Sequence, residues 1–179
     1  KYILANIGHV GFLSSFELDY VIENLEDILN NKDKYINLPL LRVKKGRDVF
    51  HAVNEVVLEN PGRSRLLEFD IYIDDTLYHQ LRASGIILST STGSTAINYS
   101  SNGPIVEIGS DLLIYNPISP QFNSEPSIVF QGEHIFRIEN VNDFPIIFTI
   151  DGIITNKLEQ NGAIEVTISR EKDFHLVLY

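Results

Sequence analysis

Residues 19–31 predict an amphipathic helix. Val21, Ile22, Leu25, Ile28 and Leu29 recur at helical spacing, while Glu23, Glu26 and Asp27 occupy the other face. From Leu38 onward the period shifts toward two. Leu67, Phe69, Ile71 and Ile73 alternate with Glu68, Asp70, Tyr72 and Asp74, the mark of a half-buried strand. Asp74-Asp75-Thr76 then turns the chain into 77–82, and Ile164, Val166 and Ile168 alternate as cleanly with Glu165, Thr167 and Ser169. Further strands are predicted at 49–59, 86–88, 112–115, 127–130, 135–139, 146–150 and 174–178. Asp151-Gly152, between two apolar runs, reads as a hairpin turn. A second, short helix is expected near 94–100, and the Asn/Pro/Ser-rich stretch 116–126 reads as an ordered surface loop. The opening 6–13, punctuated by Gly8 and Gly11, reads as a strand end passing into a loop.

Many short strands with closely spaced turn signals predict a mainly β (α+β), sandwich-like fold. No repeat, low-complexity tract or linker divides the 179 residues, so a single domain is expected.

Composition narrows the function classes. A 44% apolar and 21% charged chain is globular rather than disordered. No apolar run reaches spanning length and no leader pattern opens the chain, so neither a membrane nor secretion is expected, and a cytoplasmic home fits. Without cysteine there is no disulfide and no thiolate metal site. The five histidines, 9, 51, 79, 134 and 175, show no ligand spacing, so no metal site is assigned. The chain contains no methionine, so a translated stretch ahead of Lys1 is expected.

The net charge is −10, and ten of the fourteen Lys and Arg lie in residues 1–90. The one basic cluster, Arg42, Lys44, Lys45 and Arg47, reads as a solvated strand end rather than a nucleic-acid footprint. An anionic ligand would therefore depend on backbone N–H groups, hydroxyls or a metal.

The densest chemistry is Ser89-Thr90-Ser91-Thr92-Gly93-Ser94-Thr95-Ala96, which follows the apolar run Gly85-Ile86-Ile87-Leu88. A strand, a hydroxyl-rich turn and a helix start would bring free N–H donors and hydroxyls together, a geometry suited to phosphate, ribose or base. The same residues fit a Ser/Thr-capped helix in an ordinary loop, and the pattern leaves both open. The turn is not a Walker loop, since that motif's lysine and second glycine are missing. Asn54-Glu55 interrupts an apolar strand, and a buried carboxylate or amide there must find partners. A ribose diol would serve, and so would an internal turn cap. Asp151, by position, reads as a turn residue.

Taken in order, these motifs resemble the NAD kinase family. Gly8-His9-Val10-Gly11-Phe12-Leu13 resembles the family's Gly-His-Leu-Gly-Phe-Leu segment, and Asn54-Glu55 its Asn-Glu pair. The run from Arg82 to Ala96, followed by Ile97, resembles Arg-Gly-Asp-Gly leading into Ser-Thr-Pro-Thr-Gly-Ser-Thr-Ala-Tyr. Gly103-Pro104-Ile105-Val106 is similar to Gly-Gly-Pro-Ile, Asn116-Pro117-Ile118-Ser119-Pro120 to Pro-Ile-Cys-Pro, and Asp151-Gly152 to a late Asp-Gly.

The resemblance implies the carboxy-terminal, dinucleotide-binding β domain of an enzyme that moves the γ-phosphoryl of ATP, with a divalent metal (Mg), onto the adenosine ribose 2′-hydroxyl of NAD, giving NADP. The general base, the Asp of a Gly-Gly-Asp-Gly motif, would belong to an amino-terminal α/β domain, with residues 1–18 a remnant of the connection to it. Carried over by position, Asn54 and Glu55 would hold ribose and base, Thr95, Ala96 and Ser100 the adenosine region, and Arg82 a phosphate. Ser84, Thr92 and Asp151 complete the matched set. The expected partner is the small molecule NAD(P), with sheet edges that pair into a homo-oligomer.

The departures are specific. No Gly-Gly-Asp-Gly occurs, Ser84 replaces an Asp, Ser91 a proline, Ile97 a tyrosine, and Glu125 stands where the family usually has arginine. Two alternatives therefore accompany the kinase reading: a non-catalytic NAD(P)-binding or regulatory relative, and an oligomerisation domain with a vestigial site. The chain by itself is expected to be inactive.

Overall fold

The computed structural model describes residues 2–6, 16–30, 35–60, 62, 65–122 and 125–177; the Gly8–Leu13 motif lies outside them. The chain divides into two compact units, one formed by residues 1–38 with 173–179, the other by 39–172.

In the first unit, β1 (Ala5–Asn6) pairs in parallel with β2 (Phe16–Glu17), which leads directly into α1 (Leu18–Asn30). The helix falls where its apolar spacing predicts. Its interior is broken at Asn24, with φ −120° and ψ 18°, whose side-chain amide donates to the Tyr20 carbonyl at 2.9 Å. A side chain that bonds the preceding turn competes with regular helix geometry. Of the expected apolar face, Ile28 is buried with Phe16 and Val177, whereas Ile22, Leu25 and Leu29 are exposed.

The second unit is one curled sheet. Its strands are β3 (Tyr35–Lys45), β4 (Asp48–Ala52), β5 (Glu55–Glu59), β6 (Leu67–Ile73), β7 (Thr76–Thr90) and β8 (Leu112–Pro120). These are followed by β9 (Ile128–Gln131), β10 (Phe136–Asn140), β11 (Ile146–Ile150), β12 (Ile154–Leu158) and β13 (Ala163–Val177). The spatial order is β12-β11-β5-β7-β6-β10-β13-β3-β4, with β8 added to β7 and β9 to β8. Although β4 and β11 lie near opposite ends of this path, Phe50 meets Phe148 edge to face at 6.2 Å. The facing layers of the expected sandwich are thus parts of a single sheet folded over Leu58, Phe69, Ile71, Leu88, Phe136 and Ile138, all fully buried. Alternation in β6, β10 and β11 follows from this one-sided burial.

The 15-residue β7 is the spine. One edge pairs with β8 from Ala83 to Thr90, and the other pairs first with β6 up to Ala83 and then with β5 from Gly85. Ser84 lies at the step between them. Gly85 is required there, because a Cβ would stand 2.4 Å from the Leu58 carbonyl oxygen.

Two expectations are corrected. Residues 49–59 are not one strand: the chain breaks at Val53-Asn54 between β4 and β5. Residues 116–120 are not loop but the second half of β8. Pro117 and Pro120 are tolerated because β9 pairs only with 112–115, so beyond Tyr115 one edge of β8 needs no donors.

The core contains a polar staple. Asn140 is fully buried; its amide nitrogen lies 3.0–3.1 Å from the carbonyls of Phe144, Leu158 and Glu159. Its Oδ1 accepts from the Asn142 backbone at 3.0 Å and side chain at 2.7 Å. Asn142 in turn brackets Glu68, accepting its N–H at 3.0 Å and donating to its carbonyl at 2.9 Å. Removing one partner of a buried network leaves the others unsatisfied. Asn140→Ala is expected to lower unfolding free energy by about 2–4 kcal/mol, read from urea denaturation.

Candidate functional site

The site grows from the break between β4 and β5. Three successive N–H groups, of Val53, Asn54 and Glu55, leave the sheet ladder there, and the Asp151 carboxylate takes all three at 2.8, 2.8 and 3.1 Å. Asp151 occupies the turn between β11 and β12 with φ +47°, and its own N–H donates to the Glu55 carbonyl at 3.0 Å. The predicted hairpin is present, and its Asp is also a cap for a segment almost one hundred residues away in sequence. Gly152, at φ +67°, completes the turn.

The carbonyls of the same break hold the hydroxyl-rich turn. Asn54 O accepts the Thr90 N–H at 2.9 Å and the Ser89 hydroxyl at 3.1 Å, and Val53 O accepts the Thr90 hydroxyl at 2.6 Å. Thr90 Oγ1 accepts the Gly93 N–H at 3.1 Å, so Thr90 does the capping. The helix expected over 94–100 is instead a 3-10 turn at Thr92–Thr95 followed by one α turn, Ile97–Ser100. Neither is long enough to build a useful helix dipole, so hydroxyls rather than a helix end are what this turn offers. Ser91 Oγ and Thr92 Oγ1 are buried without a partner. Gly93 is obligatory, since a Cβ would stand 2.2 Å from the Asn54 carbonyl oxygen.

Behind the turn, buried Asn98 donates to the Ser94 and Pro104 carbonyls at 3.1 and 3.0 Å and accepts from Asn116 at 3.0 Å. Asn116 Oδ1 accepts the Ser127 hydroxyl at 2.5 Å. Gly103 packs against Asn98 so closely that a Cβ would meet its Oδ1 at 2.0 Å. Three motifs far apart in sequence are thereby locked into one wall.

In front lies a cavity of about 510 Å³ whose walls include Glu55, Ser84, Ile97, Ser101 and Gly152. A second cavity, of about 560 Å³, includes Ser100, Asn116 and Glu125 and shares Ser101 and Ile118 with the first. Of the residues singled out from sequence, Glu55 and Ser84 face the first cavity and Ser100 the second. Asn54, Thr92, Thr95, Ala96 and Asp151 are on neither wall: Asn54 and Asp151 are bonded to each other beside Glu55, and Thr92 and Thr95 belong to the 3-10 turn with Ala96 directly after it. Arg82 is not on either wall; it lies 3.4 Å from Glu68. Arg65, which carried no sequence signal, is on the first wall. Glu125 stands 2.7 Å from His79 Nε2.

Glu55 is the unusual group. It is only 6% exposed, and its Oε2 has no partner. Burial first, and the Asp151 carboxylate second, push its carboxyl up to about 7. A carboxyl poised near neutrality with a free oxygen in a cavity marks a place where a ligand hydroxyl or amine would complete the bonding.

Fold and site together define a mainly β domain that presents a buried carboxyl to a cleft, beside a hydroxyl-rich turn. The chain belongs to the ATP-NAD kinase C-terminal domain family, whose model matches residues 53–178. It is 34% identical over 167 residues to the bifunctional NADP phosphatase/NAD kinase of Methanocaldococcus jannaschii, covering 90% of this chain and 29% of that protein. It is 30% identical over 171 residues to the NAD kinase of Clostridium beijerinckii, covering 93% of this chain and 60% of that one. The chain thus spans less than two thirds of these relatives. Among solved structures, yeast NADH kinase complexed with NADH superposes with TM-score 0.88 at 26% identity, over 97% of this chain and 52% of that one. An Archaeoglobus fulgidus NAD kinase in complex with ATP shares the fold at TM-score 0.81 and 22% identity, over 99% of this chain and 67% of that one.

The raised Glu55 value makes stability pH-dependent. The folded state holds this proton more tightly than the unfolded chain, so the contribution is full below the ordinary carboxylate range and is lost as pH rises through about 7. Denaturation midpoints between pH 5 and 8 are expected to fall with rising pH, and Glu55→Gln is expected to flatten that slope.

Proposed function

We propose that this chain is the dinucleotide-binding part of an NAD kinase, an enzyme that transfers a phosphoryl group from ATP to NAD to give NADP. The observation that carries this reading is Glu55, which faces the cavity with Oε2 unpartnered from the junction where Asn54, Asp151 and the Ser89–Thr95 turn are hydrogen-bonded together. A ribose hydroxyl fits that oxygen: Glu55 as a carboxylate accepts from it, and as the acid donates to it. The Ser91 and Thr92 hydroxyls, buried and unpartnered, supply further donors at the turn. Asn54, Thr95, Ala96 and Ser100 complete the nucleoside contacts, with Ser84 and Asp151 at the margins. Arg82 would reach a phosphate only by leaving Glu68.

Among the described residues no three His, Asp or Glu side chains gather as metal ligands. In the enzyme proposed here, the divalent cation that would screen the phosphates of ATP and the general base would be held outside this chain. This chain's own residues bind and orient the acceptor, and in isolation they phosphorylate nothing.

One observation favours a second reading, a non-catalytic NAD(P)-binding relative. Ile97 and Ser84 put a hydrocarbon and a neutral hydroxyl on the cavity wall where the family resemblance leads one to expect a tyrosine and a carboxylate. A lost neutral hydrogen bond weakens binding by about 0.5–1.5 kcal/mol, so the two readings differ in strength of binding before they differ in chemistry. A homo-oligomer would be formed through the sheet's outer strands, β12 and β4 among them.

Calorimetry with NAD, NADP and ATP, together with an NADP-formation assay, tests the proposal. The 179-residue chain is expected to bind a dinucleotide weakly without turnover, and Asn54→Ala with Glu55→Ala to abolish that binding. Turnover by the chain alone would refute the division of labour, and binding unchanged in the double variant would remove the site.

A further inference from the structure

We propose that Arg65 is the phosphate-binding residue of the cleft, taking a phosphoryl group of the bound nucleotide at the end opposite the Asp151 cap. This rests on the dinucleotide-binding reading above and adds a residue that neither the sequence motifs nor the family resemblance singled out.

The cavity runs along β5, because Glu55, Val57 and Glu59 on one face of that strand all line it. Four residues of strand span roughly 13 Å. Glu55 and Gly152 mark one end. Arg65 marks the other, since it also lines an adjoining cavity with Asn60, Asp143 and Phe144 just beyond the end of β5. The cleft is therefore elongated, with a hydroxyl-seeking carboxyl at one end and a guanidinium at the other.

Charge decides what that guanidinium is for. Two carboxylates, Glu55 and Glu59, line the cleft, and Arg65 is the one cation among the described lining residues. Among the described lining residues, Arg65 alone offers a positive charge to the phosphates of a nucleotide. Arg82, the other candidate, lies 3.4 Å from Glu68 and off both cavity walls. Among the described residues Arg65 forms no ion pair.

An exposed arginine is ordinarily just solvated. Here described residues on either side of it are hydrogen-bonded. Asn60 Oδ1 accepts the Gly62 N–H at 2.9 Å on one side. On the other, Asn142 holds both backbone groups of Glu68 at 3.0 and 2.9 Å. The fork of a guanidinium matches phosphate oxygens two at a time.

The test is titration calorimetry of the protein, Arg65→Gln and Arg65→Lys with NADP, NAD and adenosine. Arg65→Gln is expected to weaken the phosphate-bearing ligands by on the order of tenfold or more, to leave adenosine unchanged, and to be partly rescued in Arg65→Lys. Equal losses for NAD and NADP assign the pyrophosphate to Arg65; a loss confined to NADP assigns the 2′-phosphate. Wild-type affinity for all three ligands in Arg65→Gln, with unchanged thermal unfolding, overturns the inference while leaving the dinucleotide site intact. Failure of the unaltered protein to bind any of the three overturns both.

Discussion

Everything at the cleft depends on one carboxylate. Where β4 stops and β5 begins, the backbone must leave the ladder, and three N–H groups are released together. An unpaired buried N–H is costly, so such a break survives only where something accepts all three. Asp151 does this with two oxygens, from a left-handed turn on another hairpin. Because the N–H groups are occupied by Asp151, the carbonyls of Val53 and Asn54 point the other way and receive Ser89 and Thr90. The break is a junction where three segments are fastened back to back, and the position of the hydroxyl-rich turn follows from it.

The same carboxylate sets the electrostatics. Held by N–H donors, Asp151 stands beside Glu55 and opposes its ionisation in addition to what burial does. A second carboxylate placed beside the first would ordinarily find a cation. Among the described residues Glu55 forms no ion pair, and its second oxygen remains open. The arrangement is unfavourable for stability, the kind of cost that proteins accept at functional sites.

The periodic strands were legible because one face of the sheet is buried: 67–73, 146–150 and 164–168 needed only alternation. The β8 extension was not legible, because Pro117 and Pro120 read as loop residues unless it is known that one edge there is unpaired. Nor was the break at Val53-Asn54, since apolar residues continue through it and its compensation lies at Asp151. The Asn54-Glu55 pair and the hydroxyl run were visible as anomalies, polar groups next to buried apolar runs. Arg65 gave no such signal, being one arginine among several in a polar connection. Its significance comes from which cavity the connection borders, a property of the fold rather than of local sequence.

Distribution of charge along the cleft also bears on how an acidic protein holds an anionic ligand. The net charge of −10 would repel a dinucleotide at long range, yet most of that charge is screened beyond roughly 10 Å at ordinary ionic strength. What counts is the local set: Glu55, Glu59 and Arg65 on the wall and Asp151 behind it. Because burial and the Asp151 carboxylate raise the Glu55 carboxyl to about 7, the local field near neutral pH is weaker than the formal count implies. A ligand hydroxyl at Glu55 and a phosphate at Arg65 would then be bound without opposing carboxylates at full strength. The cost of burying Glu55 and the weakened negative field of the cleft thus have the same origin, the desolvation that raises that side chain's hold on its proton.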